Sequence, residues 1–206
     1  MPSSAGADVL HVVPGSGAGI LRESGKERSL SFAALPPEVR TVAREPHLLI
    51  LTKANGRSTV HRPGYMDYIG VKRFGADGSV TGERRFLGLF TSTAYNVSPL
   101  EIPLLRRKVE TVQRLAALRP QSHAGRALLT ILEQYPRDEL IQSSEHELFA
   151  TAMGILGLGE RQRTRLFMRR DPFGRFISCL IYAPRETYDT GMRQRMQNVL
   201  MEALGG

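Results

Sequence analysis

The sequence predicts an α+β fold: one antiparallel sheet of about five strands with a three-helix insertion, followed by a C-terminal helix. Three observations carry that prediction. Apolar, β-rich runs fill residues 47–95 and return at 163–183. Between them apolar residues recur every three or four positions, the spacing of helices. Turn and cap residues mark each change of period. Strands, then helices, then a hairpin is not the regular alternation of a parallel doubly wound sheet.

Residues 1–46 are rich in Gly, Ser and Pro and read as linker-like, although "DVLHVV" predicts a short strand and 37–44 a short helix. "HLLILTK" predicts a strand, "ANGRS" with Asn55 and Gly56 a turn, and "STVHR" a return before Pro63 and Gly64. "YMDYIGVKRF" and "RRFLGLFTSTAY" predict two longer strands around "GADGSVTGE", where Asp77 and Gly78 mark the reversal.

Ser98, Pro99 and Glu101 resemble a capping box, with a regular helix from about Pro103 whose stripe is Leu105, Val109, Val112, Leu115 and Ala116. A second helix opens near Ser122, carries Leu128, Ile131, Leu132 and Tyr135, and stops at Pro136. A third opens at Ser144, with Glu147 three residues on, and places Leu148, Ala152, Met153 and Leu156 along one side. A last helix is expected near 189–204, ending at Gly205 and Gly206.

The closing hairpin is centred on "RRDPFGRF". Asp171, Pro172, Phe173 and Gly174 have the residue types of a tight turn, with proline fixing φ and glycine free to turn left-handed. Arg161, Arg163 and Arg165 alternate, so a strand would project them from one face, with Arg169, Arg170 and Arg175 at the turn. Arg163, Arg165, Arg169, Arg170 and Arg175 are therefore the candidate interaction surface. Guanidinium forks bind carboxylates and phosphates at two points; the plainer reading is a solvated strand whose charges deter stray pairing.

Composition narrows the chemistry. With 41% hydrophobic and 23% charged residues the chain can bury a core. No apolar run reaches membrane-span length and the N-terminus lacks a secretory pattern, so a cytoplasmic protein is expected, with no membrane partner. Cys179, a single cysteine among apolar residues, excludes an internal disulfide framework. The net charge of +8 suits a polyanion or an acidic protein surface. Nucleic acid is not the expected partner, because aromatic residues are not interleaved with the arginines and no helix-turn-helix pattern occurs.

Enzymatic motifs fail on spacing. "GSGAGI" at 15–20 has G-x-G-x-G spacing and no convincing following helix, unlike a dinucleotide fingerprint. Histidines 11, 47, 61, 123 and 146 show no metal-ligand spacing. Ser58, His61 and Asp67 lie close in sequence but lack a nucleophile elbow. No catalytic, cofactor-binding or metal-binding residue is nominated.

Four long segments, "LLILTKANGRSTVHRPGYMDYIGVKRF", "GERRFLGLFTSTAY", "SHAGRALLTILEQYPRDEL" and "RTRLFMRRDPFGRFISCLIYAPRETYDT", together resemble the very large bacterial NAD-specific glutamate dehydrogenases. The resemblance covers residues 10–206 and points to the N-terminal regulatory region of that family. It implies residues 1–46 as linker, 47–184 as a PAS-like domain and 185–206 as the start of a truncated ACT-like domain. The parent would convert L-glutamate and NAD to 2-oxoglutarate, ammonium and NADH, with NAD held in a downstream catalytic domain and no cofactor in this segment. Its role would be regulation or assembly, its partners other domains and subunits of the same enzyme, with a small-molecule effector as a further candidate. The rival reading is a free-standing small-molecule sensor or basic nucleic-acid-binding module.

Overall fold

The computed structural model describes residues 9–22, 30–31, 35–60, 62–159 and 163–205. They group into two units: Met1–Val97 with Asp171–Phe176, and Ser98–Arg170 with Ile177–Gly206.

In the first unit, β1 (Val9–Leu10) pairs antiparallel with β2 (Leu30–Ser31). The helix α1 (Pro37–Arg44) opens on a proline and precedes a three-stranded antiparallel sheet of β3 (Leu49–Ser58), β4 (Gly64–Phe74) and β5 (Val80–Gly88), in that order. Lys72 of β4 is buried and donates to the carbonyls of Val42 and Glu45 at the end of α1. The end of α1 is thus fastened to the sheet: a lysine at a helix C-terminus satisfies orphan carbonyls. Burial lowers the Lys72 pKa, against the pull of Glu83 and Glu45.

The β4–β5 turn forms as expected: Gly78 has φ +80°, and the Asp77 carboxylate accepts from the Ser79 amide and hydroxyl. Two local expectations do not hold. "ANGRS" does not reverse the chain; the register shifts between Lys53 and Arg57, and pairing resumes at Arg57 opposite Tyr65. A bulge absorbs an irregular residue without ending the strand, so Asn55 and Gly56 mark a bend in β3 and the reversal falls at 59–63. "RRFLGLFTSTAY" is strand only to Gly88, and α2 (Ser92–Asn96) follows. The Phe90 amide donates to Asp67 Oδ2 at 2.7 Å instead of extending the ladder.

The second unit opens with a single 3-10 turn, Pro99–Glu101, whose capping box pairs Ser98 with Glu101. Four helices follow: α3 (Pro103–Ala116), α4 (His123–Glu133), α5 (Arg137–Gln142) and α6 (Glu145–Leu156). The predicted caps are present, with Ser122 accepting from the Gly125 amide and Ser144 boxed with Glu147. The short α5 was not anticipated. Leu105, Val109, Val112, Leu128, Leu132, Tyr135, Leu140, Leu148, Ala152 and Ile155 form the core, and each buried leucine contributes about 2 kcal/mol.

The chain closes with β6 (Arg165–Arg170), β7 (Ile177–Tyr182) and α7 (Thr190–Leu204). Asp189 caps α7 by accepting from the Met192 amide at 2.6 Å, and Gly205 ends it at φ +73°. The α+β class stands, with one correction. The single sheet of about five strands is two sheets, of three and two strands, beside the short β1–β2 pair. Residues 171–176 let β6 and β7 pair locally, whereas joining the sheets requires a long-range edge that periodicity does not encode.

Candidate functional site: the arginine hairpin

The hairpin turn is built from Asp171. Its carbonyl accepts from the Gly174 amide at 2.8 Å, and Gly174 takes φ +69°, where a side chain would be strained. The Asp171 carboxylate is buried and accepts from the amides of Phe173 and Arg175 at 3.2 Å, and from Arg175 Nε and Nη2 at 2.7 and 2.9 Å. Burial would raise its pKa, but the Arg175 guanidinium and the two amides outweigh that and hold it below the usual carboxylate range.

Arg175 is equally committed. Its Nη2 donates to Thr52 Oγ1 at 2.6 Å and its Nη1 to the Lys53 carbonyl at 2.5 Å, both on β3. Its guanidinium also lies 4.9 Å from the Phe173 ring centre and 5.7 Å from that of Phe176. The turn is therefore fixed to β3 by one carboxylate and one guanidinium that answer each other.

On the hairpin arms, alternation sets Arg170 on the face opposite Arg165, Phe167 and Arg169, and burial then divides Arg165 from Arg169 along one face. Phe167 packs against the helical core and meets Tyr182 edge to face at 6.0 Å. Arg169, two residues on, is 8% exposed, and its Nε and Nη2 donate to the two oxygens of Glu139 on α5, each at 2.9 Å. Tyr135, Glu139, Thr151, Phe167, Arg169 and Ser178 line a cavity of about 170 Å³. Burial pushes the Tyr135 hydroxyl up to about 12. Behind it, Lys108 of α3 donates to the carbonyls of Leu140, Ile141 and Ser143 at 3.2, 2.7 and 2.7 Å, closing the C-terminus of α5. Desolvation lowers the Lys108 pKa to about 8 despite Glu145 nearby.

The five nominated arginines do not share one surface. Arg163, Arg165 and Arg170 are exposed, with Arg165 lying 5.2 Å over the Phe167 ring, while Arg169 and Arg175 are spent on internal carboxylates. Arg161 lies outside the described residues. Sequence reasoning missed Glu139 and Lys108. The available signal was Pro136 followed by Asp138 and Glu139, the pattern of a helix first turn.

The rejected motifs have ordinary geometry. Gly19–Leu21 is a single 3-10 turn, the Ser58 hydroxyl donates to the Val60 carbonyl, and Asp67 binds Lys53 at 2.6 Å; His61 lies outside the described residues. Among the described residues no group of three or more His, Cys, Asp or Glu could hold a metal ion, and no helix is long and apolar enough to cross a membrane.

Two family models match the chain: "Glutamate dehydrogenase, helical motif 1" over residues 102–161 and "Glutamate dehydrogenase, ACT2 domain" over 165–206. The first covers α3 to α6; the second begins at β6, upstream of the expected start of the ACT-like part. Among curated relatives, proteins named NAD-specific glutamate dehydrogenase from Halomonas elongata, Pseudomonas aeruginosa and Mycobacterium tuberculosis are 49%, 47% and 37% identical over 77%, 78% and 77% of this chain. The matched stretch is 10% of the length of each of these relatives.

Proposed function

The chain belongs to the NAD-specific glutamate dehydrogenase family, and from that membership we propose that it is a non-catalytic regulatory and assembly segment of such an enzyme. The parent oxidises L-glutamate with NAD to 2-oxoglutarate, ammonium and NADH in the cytoplasm, and NAD sits in another part of the polypeptide. One observation carries the reading: the clustered charges that could have served chemistry are consumed in holding structure, Arg175 by Asp171 and Arg169 by Glu139. In this reading residues 47–184 are the PAS-like part and residues 185–206 begin the ACT-like part, and the ACT2 match over 165–206 supports an ACT-like portion at this end. Arg163 and Arg165, with Arg170 on the other face of β6, meet acidic groups elsewhere in the same enzyme, and a small-molecule effector biases those contacts.

The test uses the full-length enzyme with Arg163→Glu, Arg165→Glu and Arg170→Glu combined. Light scattering should show a smaller assembly, while the isolated 206-residue chain should form no NADH from glutamate and NAD. Turnover by the isolated chain, or an unchanged mass for the charge-reversed enzyme, would refute the proposal.

A further inference from the structure

The three-stranded sheet has two unlike faces. On one, Ile50, Thr52 and Lys72 are buried, with α1 secured at Lys72 and the Asp171–Arg175 turn at Thr52. The register fixes the other face row by row. Leu51, Ile69 and Phe86 lie side by side; Leu49, Val71 and Arg84 form the next row; Arg73 follows opposite Gly82. Leu49 and Phe86 are 41% and 50% exposed, and Leu51, Ile69 and Val71 are partly so.

The two ends of this apolar band differ in charge. At one end Lys53 and Asp67 pair at 2.6 Å, and Asp67 also accepts from the Phe90 amide, so both charges are answered. At the other, Arg73 and Arg84 are exposed, and neither guanidinium has a partner among the described residues. An apolar band with free cations at one end is complementary to an apolar stripe ending in carboxylates.

We propose that this face docks an amphipathic helix of the parent polypeptide, from outside residues 1–206, whose apolar stripe covers Leu51, Ile69 and Phe86 and whose Asp or Glu residues meet Arg73 and Arg84. The chain spans 10% of its relatives' length, so most of the polypeptide is available to supply that helix. A second copy of the same face does not suit the site. The carboxylate it carries, Asp67, is 6% exposed and committed to Lys53 and Phe90, so two such faces would leave all four arginines unanswered. Apolar residues at i, i+3, i+4 and i+7 would span the rows, which is how a helix seats in an apolar groove.

This inference rests on the assembly reading above and names the surface and the chemistry of its occupant. The experiment places p-benzoylphenylalanine at position 86 of the full-length enzyme, with position 49 as a second probe, and identifies photo-adducts by peptide mass spectrometry. The expected adduct is a peptide from outside residues 1–206 with helical apolar spacing and acidic residues at one end, formed from both probes. Combining Arg73→Glu with Arg84→Glu should cut its yield about tenfold. An adduct within residues 1–206, from either copy, no adduct at all, or a yield indifferent to charge reversal each overturns the proposal. The two readings fail separately: an enzyme that dissociates on arginine reversal in the hairpin yet gives no adduct at position 86 keeps the assembly role and loses this docking face.

Discussion

Arg169 and Glu139 meet through two parallel hydrogen bonds of 2.9 Å, with side-chain exposures of only 7% and 16%. Strand β6 is thereby locked to helix α5 at a point where neither charge is well hydrated. Removing one member of such a pair takes the opposite charge away from its buried partner, which costs about 3–5 kcal/mol. Arg169→Met and Glu139→Leu should each lower the urea stability of the chain by that order, and the double variant should recover most of the loss. Additive losses in the double-mutant cycle would show that the two side chains act independently.

Asp171 is the second group whose charge holds structure. Asp171→Asn removes a carboxylate that accepts from two amides and Arg175, and bonds to charged groups are worth about 1.5–3 kcal/mol. Its pKa is depressed in the folded state, so its contribution is complete above the ordinary carboxylate value and fades as pH falls through the lower folded one. The stability gap between the native chain and Asp171→Asn should therefore be constant near neutrality and close in acid, which denaturant midpoints at several pH values would read.

Lys108 has the opposite pH signature. Its folded pKa is about 8, against an ordinary value of 10.5, so between those limits the unfolded chain binds more protons and stability rises with pH. The full gain is on the order of 3 kcal/mol, present only above the ordinary lysine value. Lys108→Met cannot titrate. The stability of the native chain relative to this variant should grow from pH 8 upward; a difference that stays flat would mean that the ammonium is not desolvated.

Gly154 on α6 sits where a Cβ would lie 2.5 Å from the Phe167 ring. Alanine favours a helix by about 1 kcal/mol over glycine, but overpacking costs about 1–3 kcal/mol, so Gly154→Ala should destabilise. In a Phe167→Leu background the ring is gone and the same change should turn neutral or stabilising. Destabilisation of equal size in both backgrounds would remove the ring as the cause.

Helices, caps and the DPFG turn were legible because each depends on neighbours in sequence: Ser122 and Ser144 cap by reaching three residues ahead, and Gly174 serves its own turn. Pairings between distant segments were not. Nothing in "RRDPFGRF" says that Arg175 will find Thr52 or that Arg169 will find Glu139, since alternation specifies a face and not what lies against it. The same limit explains the nominated surface: five arginines of one chemical type divided into two structural and three exposed. Asn55 and Gly56 misled because a bulge and a turn use the same permissive residues, and only the partner strand decides between them.

The six residues Asp171–Phe176 belong with Met1–Val97, while the strands on either side of them belong with the helical unit. Inheritance of this region is constrained in consequence. Recombination anywhere between Val97 and Asp171 would pair a Thr52–Lys53 edge with a foreign turn, and the exchange survives only where the newcomer also supplies an aspartate and an arginine four residues apart. Two stretches that look modular in sequence are thus expected to travel through evolution as one heritable block.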